Sequence, residues 1–286
     1  MMKLNIFLNQ YWALMKKIIS KIFRKLGYEI KRIKNNTDIV FHNDYNHKIG
    51  YEFESEANEA IKIVRKNTML PYTNLVTLYE QVLYCEKNKI EGDFVECGVW
   101  KGGAVGLMAL ANLKHGSNRR LLHRFDAFEE IHAPNEKIDG ETAINEIKQI
   151  LGKNALTKGE LKPLKGIYDR FGGPSDINDC KDLIEKKINF PTELIKYHKG
   201  WFQETVPEKS KNINKIAILR LDGDWYESTK VCIENLYDKV VPGGFIIFDD
   251  YGLYEGCKKA VDEFFDSRGE SYYLHYSSWA CRYIKK

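Results

Sequence analysis

A chain of 286 residues, 43% hydrophobic and 13% aromatic, can bury a full core and has the ordinary composition of a globular protein. Its formal net charge of +4 is modest, so no nucleic-acid partner is expected. The six cysteines show neither a CxxC pair nor a Cys/His zinc spacing. With no evident secretory signal and no apolar run long enough to span a membrane, a cytoplasmic location is predicted.

The first predicted element is a basic amphipathic helix over residues 11–26, within an N-terminal segment of residues 1–34. One face is apolar and carries Trp12, Met15, Ile18, Ile19, Ile22, Phe23 and Leu26. The opposite face is acid-free and basic, with Lys16, Lys17, Lys21, Arg24 and Lys25. This pattern is typical of a helix on a membrane surface and predicts peripheral contact with the inner membrane face. The alternative is a helix packed on the body of the protein or on a second subunit, and we expect a homo-oligomer.

Residues 35–54 are polar and irregular and predict a linker, and helices broken near Pro71 are expected over residues 55–90. Strands then alternate with helices. The predicted strands are DFVECGV, RLLHRFDAF, IKYHKGWF, KIAILRLDG, GGFIIFDD, ESYYLHYS and WACRYIK. The alternation predicts an α/β fold with a doubly wound, mostly parallel, seven-stranded Rossmann-like sheet. Its last two strands should form an antiparallel hairpin joined at Ser277–Trp279.

Residues 129–194 interrupt this alternation. They are long, polar and poor in candidate core strands, and we expect them to be mostly helical. The segment is therefore predicted to be an insertion that acts as a lid.

Two of the most apolar strands end in clustered carboxylates. Asp222 and Asp224 follow IAILRL, and Asp249 and Asp250 follow GFIIF. In open α/β sheets, ligands bind outside the carboxyl ends of the strands, so these side chains should meet at one edge. All-oxygen ligands suit Mg²⁺ or Ca²⁺. Any single one of these aspartates could equally be a helix cap or a solvated turn residue.

A glycine turn follows the first strand. Gly98, Gly102 and Gly103 let the backbone approach a ligand where the strand turns into a helix, although the spacing is not the GxGxxG fingerprint of dinucleotide binding. Glu96 lies inside the end of the strand and needs a partner, which the α-amino group of an amino-acid-like ligand could supply. Asp126 ends the second strand, where an acid can accept hydrogen bonds from ribose hydroxyls.

In combination these features resemble a class I S-adenosylmethionine-dependent methyltransferase. The likeness extends to the TylF-type (macrocin O-methyltransferase) family over roughly residues 55–285, leaving the N-terminal helix outside. It rests on the motifs DFVECGVWKGGA, RFDAFEEI, KGWFQETVP, LRLDGDWYEST and PGGFIIFDDYG, preceded by KNTML. One departure is FEEI, where a glycine-containing loop is expected after the Phe-Asp pair.

The resemblance implies Mg²⁺-dependent transfer of a methyl group from S-adenosylmethionine to a sugar hydroxyl of a glycan, nucleotide-sugar or glycosylated natural product. Residues 55–286 would form the methyltransferase domain, with the lid at 129–194. The implied metal ligands are Asp222, Asp249 and Asp250. The implied cofactor contacts are Glu96, Gly98, Gly102, Gly103 and Asp126, with Thr68 and Met69 covering the methyl-donor side.

Deprotonation of the sugar hydroxyl needs a base in hydrogen-bond reach. Asp222 is the first candidate, in addition to its metal role, and Asp224 is the second. Four histidines are further candidates: His123, His132, His198 and His275. Four aromatic residues could pack on the cofactor or the sugar, or simply in the core: Trp201, Phe202, Trp225 and Tyr226.

Two other functions stay open. A catechol-type O-methyltransferase would use the same fold and metal, but the long polar insertion favours a sugar. A non-catalytic membrane-docking or scaffold protein could retain the fold, but the intact carboxylate set argues against this. The Lys-, Asn- and Ile-rich composition is typical of AT-rich bacterial genomes and favours a surface polysaccharide or its nucleotide-sugar precursor as substrate.

Overall fold

A seven-stranded sheet organises residues 54–286, the part of the chain that the computed structural model describes. The strands are β1 Asp93–Cys97, β2 Leu122–Asp126, β3 Ile195–Lys199, β4 Ile216–Leu221, β5 Val240–Phe248, β6 His275–Tyr276 and β7 Arg282–Lys285. Their order is β3-β2-β1-β4-β5-β7-β6. The first five are parallel, and β7 runs antiparallel to both β5 and β6. The predicted α/β fold is confirmed, whereas the helix at 11–26 and nearly all of the linker at 35–54 lie outside the described residues.

The central strands form because most of their side chains are apolar and buried, with Glu96 in β1 and Arg220 in β4 as buried charged exceptions. All six residues of β4 are buried, as are four of the five in β1. A parallel sheet covered by helices on both sides requires such continuous apolar runs. The consequence for function is that β1, β2, β4 and β5 all end at the same edge of the sheet.

Helices connect the strands and cover the sheet. They are α1 Glu54–Val64, α2 Tyr72–Lys87, α3 Gly103–His115, α4 Gly140–Leu151, α5 Ile177–Lys181, α6 Phe202–Lys209, α7 Tyr226–Leu236 and α8 Glu255–Arg268. The break expected near Pro71 is present, because α2 begins immediately after this residue. None of the helices in the described part of the chain is long and apolar enough to cross a bilayer.

Residues 129–194 are less helical than predicted. Within them, α4, α5 and a π-helical turn at Asp182–Lys187 are joined by turns and by isolated bridges between His132 and Pro163 and between Asn135 and Lys158. Glycine and proline recur between the helices, which explains why helix formation stops. Apolar residues between positions 131 and 168 of the segment form a small separate core with Trp225, Tyr254 and Cys257.

The C-terminal hairpin has the predicted connection but a shorter first strand. Only His275 and Tyr276 pair as β6, and the Ser277 amide then donates to the Cys281 carbonyl (3.2 Å) to close the turn. The turn also packs on the loop after β5, because the Gly252 amide donates to the Ala280 carbonyl (2.7 Å). The hairpin therefore touches the edge of the sheet where the carboxylates lie.

Candidate active site

A cavity of about 490 Å³ opens at the carboxyl ends of β1, β2, β4 and β5. Most of the site residues predicted from the sequence line it: Thr68, Met69, Glu96, Gly98, Asp126, Asp222, Asp249 and Asp250. Asp224 also lines the cavity, whereas Gly102 and Gly103 are not among its lining residues. This volume lies within the range of roughly 300–1,000 Å³ that is usual for small-molecule binding sites.

The glycines of the turn allow close contact between parts of the protein itself. A Cβ atom on Gly98 (φ +90°) would lie 1.9 Å from the carbonyl oxygen of Asp222. A Cβ on Gly103 would lie 2.5 Å from both the Asn67 carbonyl oxygen and the Thr68 Cβ. The turn therefore lets the end of β1 lie close to the end of β4, and it places Thr68 and Met69 at the cavity wall. Gly102 (φ +84°) contacts Cys180.

Asp126 organises the loop around this turn. One carboxylate oxygen accepts the amides of Val99 (2.7 Å) and Trp100 (2.9 Å), and the other accepts the Phe128 amide (2.6 Å). Burial raises the pKa of Asp126, and these three amides oppose that rise. Ser175 also contributes a side-chain hydrogen bond to Asp126, and a contact with ribose stays a prediction.

The FEEI sequence has a local explanation. Phe128 adopts φ +51°, the left-handed conformation that usually favours glycine. The carboxylate of Glu130 accepts the amides of Gly166 (2.9 Å) and Tyr168 (3.3 Å). The second glutamate of FEEI therefore ties the 166–168 segment to the rim of the cavity.

Arg220 joins the donor side of the site to the carboxylate cluster. Its guanidinium lies 2.8 Å from Glu96, 3.0 Å from Asp222 and 3.0 Å from Asp249, each measured between nitrogen and carboxylate oxygen. The second Glu96 oxygen accepts the Val105 amide (3.0 Å). Burial raises the pKa of Glu96 to about 7 and that of Asp249 to about 6, with Arg220 opposing both shifts.

Arg220 was not among the site residues predicted from the sequence, although a charged residue inside the apolar run IAILRL indicates a buried charge that needs partners. A buried guanidinium requires carboxylate partners, and here three of them come from three different strands. The partner that Glu96 requires is therefore supplied by the protein itself.

Three carboxylates crowd together at the floor of the cavity. Oxygen atoms of Asp222, Asp224 and Asp250 lie within 4.8 Å of one another, and the Asp224 amide donates to Asp250 (3.1 Å). Burial raises the pKa of Asp224 and Asp250 well above the ordinary value, and the neighbouring carboxylates add to the rise. An all-oxygen set with this excess of negative charge fits a hard divalent cation such as Mg²⁺.

Of the four candidate histidines, His132 lines the cavity. Both its ring nitrogens have partners, the Ala133 carbonyl (2.9 Å) and the Ser228 hydroxyl (3.0 Å). His123 and His198 contact each other (3.1 Å) between β2 and β3, and His275 lies on β6. The last three lie outside the lining.

Three of the four candidate aromatic residues, Trp201, Phe202 and Trp225, line the cavity. The indole of Trp225 donates to the His132 carbonyl (3.0 Å). Tyr226 faces elsewhere, with its hydroxyl 2.6 Å from Glu263.

Comparison with known proteins gives a consistent picture. Residues 9–157 and 185–286 match the sequence profile of the macrocin O-methyltransferase (TylF) family. The match begins well before residue 55, so it includes residues 11–26, which the motifs left outside, and it omits residues 158–184 within the predicted insertion.

Two curated relatives come from Streptomyces. The chain is 30% identical to the 8-demethyl-8-(2,3-dimethoxy-alpha-L-rhamnosyl)-tetracenomycin-C 4'-O-methyltransferase of Streptomyces olivaceus, over 76% of this chain and 70% of the relative. It is 32% identical to the demethyldecarbamoylnovobiocin O-methyltransferase of Streptomyces niveus, over 69% and 67%. The solved structure of the O-methyltransferase NovP superposes with a TM-score of 0.58 at 29% identity, over 77% of this chain and 82% of NovP.

Proposed function

Because the chain belongs to the macrocin O-methyltransferase (TylF) family and is an S-adenosylmethionine-dependent O-methyltransferase, we propose that it methylates a hydroxyl of an uncharged sugar on a glycosylated small molecule, with a divalent cation as cofactor. The observation that carries the proposal is the carboxylate floor beside the glycine turn, at the edge of the sheet where α/β proteins bind ligands.

S-adenosylmethionine would occupy the side of the cavity formed by the glycine turn. Thr68, Met69, Glu96, Gly98 and Asp126 line this side and are the proposed contacts. Gly102 and Gly103 contribute indirectly, because Gly103 lets α3 approach the 67–69 segment and Gly102 lets the turn approach Cys180. The sulfonium and ammonium groups of the donor are positively charged, which suits a wall rich in carboxylates.

Asp222, Asp249 and Asp250 are the proposed cation ligands. Asp222 and Asp250 belong to the group with close oxygens, and Asp249 follows β5 directly beside Asp222, since Leu221 pairs with Phe248 in the sheet. A cation bound there would polarise the acceptor hydroxyl and stabilise the negative charge that develops on its oxygen.

We assign the base to Asp224. The sequence favoured Asp222, but an oxygen of Asp222 is already held by Arg220 (3.0 Å), whereas no ion pair engages Asp224 within residues 54–286. Burial and the neighbouring carboxylates also raise the pKa of Asp224, which makes it a stronger base than an ordinary aspartate. The oxygen of the sugar hydroxyl would attack the methyl group of the donor while the hydroxyl proton passes to Asp224.

The charge of the cavity bears on the acceptor. Its acidic lining residues are Glu96, Asp126, Glu129, Glu130, Glu146, Asp222, Asp224, Asp249 and Asp250. Within the described chain, Arg170 and Arg220 are the lining residues that oppose them. The diphosphate of a nucleotide-sugar would be repelled by this excess, so an uncharged glycoside is the better candidate.

The cation and base assignments are separable by experiment. Asp249→Asn should lower Mg²⁺ or Mn²⁺ affinity roughly tenfold or more and abolish turnover, while S-adenosylmethionine affinity stays nearly unchanged. Asp224→Asn should reduce kcat by about 10²–10⁴-fold but keep cation affinity. Calorimetry measures both affinities.

Each part of the proposal has an outcome that contradicts it. Full activity in excess EDTA would exclude the cation. If Asp224→Asn rather than Asp249→Asn weakens cation binding, Asp224 is the third ligand and the base must lie elsewhere. A protein that does not bind S-adenosylmethionine would refute the function as a whole.

A further inference from the structure

Apolar side chains surround the mouth of the cavity, whereas carboxylates form its floor. Trp279 lines the cavity yet is 63% exposed, and Phe171 and Met69 are 42% and 43% exposed at the same cavity. These three residues, the apolar rim, come from the C-terminal hairpin, the 129–194 segment and the loop before α2. Large apolar side chains in such a position mark a site where something apolar binds.

The backbone of Trp279 is firmly held. A Cβ atom on Gly252 would lie 2.1 Å from the Trp279 carbonyl oxygen, and Arg282 donates to the carbonyl of Ser278 (2.6 Å). Gly252 follows Asp250 by two residues, so the tip of the hairpin is anchored to the loop that carries the proposed cation ligands. The exposed indole therefore stands on a hairpin whose backbone contacts this loop.

We propose that Trp279 determines acceptor specificity by packing against the apolar aglycone of the sugar substrate. This inference rests on the proposed function. The reacting hydroxyl must reach Asp224 at the floor, and the donor lies along the glycine turn. The aglycone, which is attached to the far side of the sugar, then remains at the mouth of the cavity and contacts the apolar rim. An aromatic surface is suited to this contact because it offers a large apolar area and loses little side-chain entropy on binding.

The test compares 4-nitrophenyl and methyl glycosides of the same sugars, including α-L-rhamnose, in the full chain with Mg²⁺. The wild type should show a lower KM, and a lower Kd in the presence of S-adenosylhomocysteine, for the 4-nitrophenyl member of a pair. Trp279→Ala should raise KM for that member roughly tenfold, with kcat and S-adenosylmethionine affinity unchanged. Trp279→Phe should restore part of the difference.

The matched control is Tyr273→Ala, which removes a 78% exposed aromatic residue outside the cavity lining and should change neither KM. Equal KM and Kd for the two members in the wild type, or no binding of either, overturns the inference. So does a Trp279→Ala protein that keeps the wild-type preference. Failure of the proposed function is separate, because it would appear as loss of S-adenosylmethionine binding in the wild type.

Discussion

Gly98 shows how a single residue shapes the site. The end of β1 passes so close to the end of β4 that an added methyl group would overlap the Asp222 carbonyl, 1.9 Å away. The positive φ of +90° adds a second restriction, because residues with a side chain rarely adopt it. The same contact places Glu96 near Arg220 and Asp222, so the geometry of the carboxylates depends on a residue without a side chain.

Gly98→Ala should therefore lower the free energy of unfolding by at least about 3 kcal/mol, from steric overlap and backbone strain together. Gly173→Ala is the matched control, because Gly173 has a similar φ (+97°) but nothing within 4 Å of an added Cβ. It should cost only about 1–2 kcal/mol, the backbone contribution alone. Urea denaturation measures both, and equal losses would show that overlap with Asp222 is unimportant.

At the scale of elements, β2 and β3 are joined by a pair of stacked histidines. His198 on β3 lies 3.1 Å from His123 on β2, and His123 lies 3.2 Å from the carboxylate of Asp93 on β1. His198 also stacks on Phe125, with ring centroids 4.2 Å apart. Burial, and then the neighbouring His123, lower the pKa of His198 from 6.5 to about 4.

This lowered pKa has a consequence for stability. Between about pH 4 and 6.5 the unfolded chain binds a proton at His198 that the folded chain does not, so the folded state loses stability as the pH falls through this range. His198→Gln should reduce the decline in unfolding free energy between pH 6.5 and 4. His275→Gln on the edge strand serves as the control. An unchanged decline in the His198 variant would contradict the assignment.

At the scale of the whole molecule, two hypotheses account for the N-terminal segment. The family match begins at residue 9, but residues 11–26 lie outside the described part of the chain. Their basic, acid-free face supports the hypothesis of peripheral membrane binding, since each Lys or Arg near an anionic surface contributes about 1 kcal/mol. Packing on the protein or on a second subunit is the competing hypothesis.

Deletion of residues 1–30 distinguishes the two. If the segment binds membranes, the shortened enzyme should stay active and keep its oligomeric state but no longer sediment with anionic vesicles. Zwitterionic vesicles are the control for nonspecific binding, and light scattering gives the oligomeric state. Unfolding or dissociation of the deleted form, or failure of the full chain to bind vesicles, would assign the segment a structural role.

The α/β fold, the family and the order and approximate positions of the seven strands could be predicted from the amino-acid sequence alone. These follow from local features: apolar runs such as that of β4, the glycine turn after β1, and long motifs around Asp222 and Asp249. The length of β6 and the helix content of residues 129–194 were predicted less well, because apolar residues do not recur there at a regular spacing.

The pairing of the charged groups, in contrast, is visible only in the folded protein. Arg220 binds carboxylates on or directly after three strands, and Gly98 and Gly103 allow close contacts between protein segments. These relations depend on strand order and register, since parallel neighbours such as β1 and β4 are far apart in the chain. The spacing of residues along one strand does not indicate which charged residue on another strand will pair with a buried charge.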